Sequence, residues 1–221
     1  MEAAKTIPLN FEHKDNPIEK SSEFYKQMIS RRSVRDISSK PVEKEVIENI
    51  LRVAASAPSG ANKQPWSFCA ISSATLKREI RDKAEEEEFL SYNGRMNKEW
   101  LKALKPLKTD HIKEFITEAP WIIIVFKSIY EIIGDSKVRY NNYYVNESVG
   151  IATGFLLTAI HKAGLVTVTH TPSPMNFLHQ ILKRPDNERP FMLLPVGYPA
   201  VNAQVPDIKK KDFEEIAFFY E

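Results

Sequence analysis

Apolar residues recur along the chain at two periods. Phe24, Tyr25, Met28 and Ile29 fall on one face of a predicted helix over 22–31, and Val46, Ile47, Ile50, Leu51 and Ala54 do so over 43–56. Pro41 precedes the second helix, and Ala57-Pro58-Ser59-Gly60 stops it. Short apolar runs at Trp66–Ile71, Trp121–Phe126, Leu165–Thr169 and Phe191–Val196 predict strands, and Trp121–Phe126 reads as buried. A charge-rich helix is expected over 75–92. Tyr143–Ala163 predicts a long helix, apolar on most faces and stopped by Gly164. Such a helix lies in the core or in a subunit interface.

The stretches between are less patterned. Residues 1–20 are polar, contain Pro8 and Pro17, and read as an extended arm. Residues 93–115 are polar and weakly patterned. The tail, 206–221, is basic and then apolar through Phe213, Ile216, Phe218, Phe219 and Tyr220, which suits packing against a partner subunit. Strands separated by helices make a mixed α+β or α/β domain, expected over 21–221.

Composition narrows the class. With 43% hydrophobic and 27% charged residues the chain suits a soluble globular protein, and a net charge of +2 without a long cationic tract gives no reason to expect nucleic acid. The longest uncharged stretch, Ser148–Ile160, falls short of the roughly 20 apolar residues that span a bilayer. Met1–Lys5 lacks the apolar core of a signal peptide. The expectation is a soluble, cytoplasmic protein with no membrane contact in this chain, unless an anchor has been trimmed. The one cysteine, Cys69, sits in the run Phe68–Ile71 and reads as a buried strand thiol.

Common chemical signatures are missing from the sequence: dinucleotide and P-loop glycine patterns, the zinc-protease helix, the hydrolase elbow, and any metal-ligand spacing of histidines. What remains is a set of ambiguous clusters. Arg31-Arg32-Ser33-Val34-Arg35 offers guanidinium forks and a hydroxyl to a phosphate, or is a solvated helix end. Ala57-Pro58-Ser59-Gly60-Ala61 lets backbone approach a ligand, or merely ends a helix. Glu88 and Tyr92, four apart at the end of Glu85-Glu86-Glu87-Glu88, share a helix face. With Lys113 they could clamp a zwitterion; otherwise the run is a solvated acidic face. Thr167, Thr169 and Thr171 alternate before Pro172, either toward a ligand or from β-propensity alone.

Together these clusters form a recognisable pattern. The 31–35 and 57–61 motifs, with Gln64-Pro65-Trp66, resemble the opening of the nitroreductase flavoprotein superfamily. Glu85–Glu88 with Tyr92, Ala119-Pro120-Trp121, Gly164–Thr169 and Leu194–Pro199 are similar to the iodotyrosine deiodinases within it. The likeness runs from about residue 24 to 216.

The resemblance implies an α+β, nitroreductase-like fold with a central, mostly antiparallel sheet flanked by helices, in an intertwined homodimer with FMN at the subunit interface. Arg31, Arg32, Ser33 and Arg35 match flavin-contacting positions, and Pro58, Ser59 and Gly60 match the loop near the isoalloxazine. Thr169, His170 and Thr171 match a second flavin segment, with Thr171 at the position whose hydroxyl contacts flavin N5 and favours transfer in single-electron steps. Lys210 stands where the family usually has arginine, keeping the charge and losing the planar fork. His170 departs from a threonine of relatives.

Glu88, Tyr92 and Lys113 match the substrate clamp under a lid of about 86–115, and Ala61 the backbone amide that receives the phenolate. The implied activity is reductive dehalogenation of 3-iodotyrosine, 3,5-diiodotyrosine and their bromo and chloro analogues. NADPH would supply electrons directly or through a separate reductase. The alternatives are a general nitroreductase or quinone reductase on the same flavin site, or a flavin-binding protein without catalysis.

Overall fold

A computed structural model describes residues 6–10, 16–133 and 138–221. The chain divides into two compact units, Met1–Arg31 and Arg32–Glu221. The first unit holds helix α1 (Pro17–Ile29). It begins ahead of the 22–31 predicted from periodicity, inside the stretch expected to be an arm. Pro17 is pre-set for a first helical position, and the Asn16 side chain accepts from Ile18 N at 3.1 Å, so capping chemistry starts the helix where apolar spacing is silent. Residues 6–10 carry no regular structure, and the rest of the expected arm up to residue 15 lies outside the described residues.

The second unit runs α2 (Lys44–Ala55), β1 (Trp66–Ile71), α3 (Ala74–Leu90), α4 (Lys98–Leu104), α5 (Phe115–Glu118), β2 (Trp121–Ser128), β3 (Tyr130–Ile133), β4 (Val138–Asn141), α6 (Val145–Lys162), β5 (Val166–Thr167), α7 (Asn176–Ile181) and β6 (Glu188–Gly197). Four strands form one sheet in the order β1-β2-β6-β5, every pair antiparallel, and β3 and β4 form a separate hairpin. This is the α+β fold with a central antiparallel sheet that the resemblance implied.

Helices cover both faces of the sheet. Ile122, Ile124 and Phe126 of β2 pack with Ile80 and Ala84 of α3, Phe115 and Ile116 of α5, and Leu178 of α7. Ile123 and Val125 pack instead with Ile47 and Ile50 of α2 and with Val149, Leu156 and Ile160 of α6. A strand buried on both sides has no polar phase, which is why Trp121–Phe126 is apolar throughout. The β2–β6 register slips between Val125 and Phe126, and Pro190 sits beside the slip, where a missing N–H is tolerated.

Strand β5 is shorter than the Leu165–Thr169 expected; after Thr167 the chain leaves the ladder and rejoins it at His170, which bridges Leu193. Cys69 is half-buried, and burial raises its thiol pKa. The tail holds one 3-10 turn, Phe213–Glu215, and its aromatic side chains are exposed in the single chain.

Candidate active site

Helix α3 divides its four consecutive glutamates between two environments. Glu86 and Glu87 face outward, to Lys83 and Arg95. Glu85 and Glu88, one turn apart, face inward. Glu85 Oε1 accepts from Arg81 Nε and from the backbone N of Lys113, each at 2.7 Å, while Arg81 Nη1 donates to Thr117 Oγ1 at 2.9 Å. One carboxylate thus fixes the main chain at Lys113. The next meets its side chain: Glu88 Oε2 lies 3.4 Å from Lys113 Nζ, and both residues are buried.

The Lys113 ammonium also donates to the carbonyl of Asp110. Burial lowers its pKa, and the neighbouring Glu88 carboxylate opposes that shift. Tyr92 closes the group. Its hydroxyl donates to Thr109 O at 3.1 Å, its ring centre lies 5.7 Å from Lys113 Nζ, and burial raises its phenol pKa. Glu88, Tyr92 and Lys113 are therefore brought together, as the sequence suggested.

The segment between them is more regular than its polarity implied. Ser91–Arg95 forms a π-helical turn, α4 follows from an Asn97 cap whose Oδ1 accepts from Trp100 N at 2.8 Å, and a 3-10 turn covers Lys105–Leu107. Weak patterning arose because α4 is only 7 residues long, two turns in a polar stretch, and buries none of them. Pro106, Leu107 and Lys108 of this segment line a cavity of about 330 Å³ with Arg35, Asp36 and Gln204–Asp207.

His170 rejoins the sheet beside β6. Its backbone exchanges two 2.9 Å hydrogen bonds with Leu193, and its ring meets Phe115 edge-on, centroids 5.6 Å apart. The residue is 8% exposed and its Nε2 has no hydrogen-bond partner. Burial, then the cations of Lys113 and Arg35, push the imidazole down to about 3, so it is neutral. Strand alternation turns Thr169 and Thr171 to the other side, where both are exposed.

The other candidates have their own local partners. Arg31 ends the first unit, its backbone N on Met28 O at 3.2 Å. The Arg32 guanidinium donates to the carbonyl of Pro206. Ser33 forms an isolated parallel bridge to Thr167, and Lys210 is exposed in an irregular stretch. The 58–64 loop packs on neighbours that the clamp does not share. Pro58 is exposed, Gly60 N lies 3.5 Å from Ser148 Oγ, and a Cβ on Gly60 would come within 3.1 Å of the Tyr144 ring. Ser59 Oγ accepts from Gln64 N at 2.9 Å. Ala61, Asn62 and Gln64 take φ of 47°, 55° and 48°, left-handed conformations that cost non-glycine residues on the order of 1 kcal/mol each.

Sequence reading missed Arg81, Glu85, Arg95, Thr109 and Asp110. The i,i+4 spacing of Arg81 and Glu85 was the one available signal. Thr109 and Asp110 act through backbone carbonyls, which every residue carries.

The model of the Nitroreductase family matches residues 28–198. An iodotyrosine deiodinase of Haliscomenobacter hydrossis is 56% identical over 203 residues, covering 92% of this chain and 91% of that protein. The chain belongs to the nitroreductase family, among its iodotyrosine deiodinases. The human iodotyrosine deiodinase 1 is 43% identical, covering 97% of this chain and 75% of the human protein. A crystal structure of oxidized iodotyrosine deiodinase bound to FMN and 3-iodo-L-tyrosine superposes with a TM-score of 0.73 at 29% identity, covering 89% of this chain and 100% of that one. Among the described residues of this deiodinase-family chain, no helix is long and apolar enough to cross a membrane.

Proposed function

We propose that this protein is an FMN-dependent oxidoreductase that reductively removes halide from halotyrosines, giving tyrosine. The buried Glu88–Lys113 pair carries the reading. Two opposite charges held 3.4 Å apart under a lid suit a ligand that brings an ammonium and a carboxylate of its own. A plain nitroaromatic or quinone offers neither charge, so a general nitroreductase would have no use for the pair.

The residues present fit a flavin. Thr169 and Thr171 present hydroxyls on one exposed side of the segment around His170, and half-buried Arg35, a five-donor fork, lines a cavity with Pro206 and with Pro106, Leu107 and Lys108. Arg32 and Ser33 lie next along the chain, Arg31 precedes them, and Lys210 adds a cation suited to a phosphate. FMN supplies the reducing electrons when bound.

The protein supplies position. Glu88 receives the ammonium, and Lys113 and Tyr92 the carboxylate. The Ala61 amide takes the phenolate oxygen, which a left-handed loop holds clear of ordinary helix or strand pairing. Thr171 would offer its hydroxyl to flavin N5. The lid, about 86–115, would exclude water from the flavin and the bound substrate.

A second copy of the chain completes the arrangement. Ile151 and Phe155 of α6 and the aromatic tail are exposed apolar surface on the single chain, and an intertwined homodimer would cover them. NADPH, directly or through a reductase, is the electron source.

The purified protein should be yellow, and 3-iodotyrosine added anaerobically should quench its flavin fluorescence at micromolar concentration. A colourless protein that takes up no FMN, or a flavoprotein indifferent to iodotyrosine, overturns the proposal.

A further inference from the structure

Beside the three clamp residues a fourth side chain, His170, packs edge-on against Phe115, two residues beyond Lys113, with no hydrogen bond from its Nε2. His170 is buried, its Nε2 lacks a partner, and it touches the segment that carries Lys113 through the Phe115 ring. A buried polar atom without a partner costs about 1–3 kcal/mol, so the fold retains this imidazole at the expense of its own stability. Leucine or phenylalanine would fill the same space without that cost.

The electrostatics say what the nitrogen is suited to. Lys113 and Arg35 are the charged groups whose fields reach His170, and both are cations. Two cations oppose protonation and favour the tautomer that leaves a lone pair toward them. Neutral imidazole is then an acceptor in search of a donor.

Lys113 has such a donor to give. An ammonium carries three N–H groups. In this structure one faces Asp110 O and one faces Glu88, which leaves a third. When a ligand's ammonium takes over Glu88, Lys113 also loses that partner and must turn to the ligand's carboxylate.

We propose that His170 is the positioning residue for Lys113: its Nε2 accepts from the lysine ammonium once the ligand has displaced Glu88, and so aims the ammonium at the ligand carboxylate. The inference rests on the clamp reading above. It assigns the side chain of His170 a role separate from any flavin contact of its backbone. In the loaded site Lys113 then holds Asp110 O, the ligand carboxylate and His170, and no buried donor or acceptor is left over.

The test compares two ligands on the FMN-loaded enzyme. 3-Iodotyrosine has the carboxylate that Lys113 would grip; 3-iodotyramine has the same ring and amine without it. Dissociation constants come from flavin fluorescence quenching for wild type, His170→Phe and His170→Gln. His170→Phe keeps an aromatic edge against Phe115 and loses the acceptor, whereas His170→Gln restores one. The expected result is about tenfold weaker iodotyrosine binding in His170→Phe, unchanged iodotyramine binding, and recovery to within about threefold in His170→Gln. Iodotyrosine affinity equal to wild type, or equal losses on both ligands, overturns the role of His170 while leaving the clamp intact.

A wild type that binds iodotyramine as tightly as iodotyrosine overturns the clamp itself, and this inference with it. Should His170→Phe fail to fold, the 15N imidazole resonances of wild type decide. The Nε2 signal, identified by its loss in His170→Gln, should shift on adding iodotyrosine and not iodotyramine; a signal indifferent to both overturns the proposal.

Discussion

Arg95 Nη1 stands 3.2 Å from the carbonyl oxygen of Ser173, just past Thr171. The same guanidinium pairs with Glu87 at 2.5 Å, and the Ser91 hydroxyl donates to the same carbonyl at 3.4 Å. The root of the lid is thereby tied to the segment that presents Thr169 and Thr171. Arg95→Ala should loosen the lid without touching the flavin site. Because the pair is partly exposed, the effect is modest: about a two- to fivefold rise in KM for iodotyrosine, with FMN affinity unchanged. Steady-state kinetics beside an FMN titration would reveal it; an unchanged KM means the lid closes without this tie.

Glu88→Gln keeps the shape of the clamp and removes its negative charge. Lys113 loses its ion pair, and a substrate ammonium loses its carboxylate. A charged hydrogen bond of about 1.5–3 kcal/mol corresponds to a KM increase of roughly 10- to 100-fold, with FMN still bound. Steady-state kinetics identical to wild type would refute the clamp.

Acid should weaken the fold partly through His170. Its pKa is about 3 in the fold against 6.5 for the free side chain, so between those values the unfolded chain binds a proton that the folded one does not. Stability is whole above about pH 6.5 and declines as pH drops toward 3. At pH 5 this one group removes about 2 kcal/mol. Urea melts of His170→Gln should show a shallower decline from pH 7 to 5 than wild type; parallel curves would show that the histidine is not the source.

Gly197 ends β6 where two other segments of the chain approach closely. A Cβ there would lie 2.7 Å from Pro120 Cδ and 2.8 Å from Ile37 Cγ2, both rigid neighbours. Gly197→Ala should destabilise the protein by about 1–3 kcal/mol, read as a lower urea midpoint. Wild-type stability would mean that the Pro120 turn can retreat.

Sequence was informative wherever packing imposes a period. α2, β1, the buried core of β2 and α6 were legible because each must present apolar positions at helical or strand spacing to one sheet. α4, α5, α7 and the β3–β4 hairpin were not: they are short or exposed, and they are set by caps and turns. The same division holds in the site. Glu88 and Tyr92 share a face by spacing alone. Lys113, 25 positions beyond Glu88, could be offered from the residues only as one of two open readings, and family likeness favoured the clamp, since nothing local marks a lysine that a distant carboxylate will hold. Glu85, which fixes the Lys113 backbone, was hidden in a run of identical residues.

Strand β2 has no outside, and that makes it a common ruler for the molecule. Ile124 leans toward the helices that bear the clamp, while its neighbour Ile123 leans toward the long helix on the opposite face. Trimming a methyl group from either residue would be felt first on one flank and then, through a shared backbone, on the other. The spacing between the Glu88–Lys113 pair and α6 is therefore written into six consecutive apolar residues, Trp121 to Phe126, rather than into any surface contact.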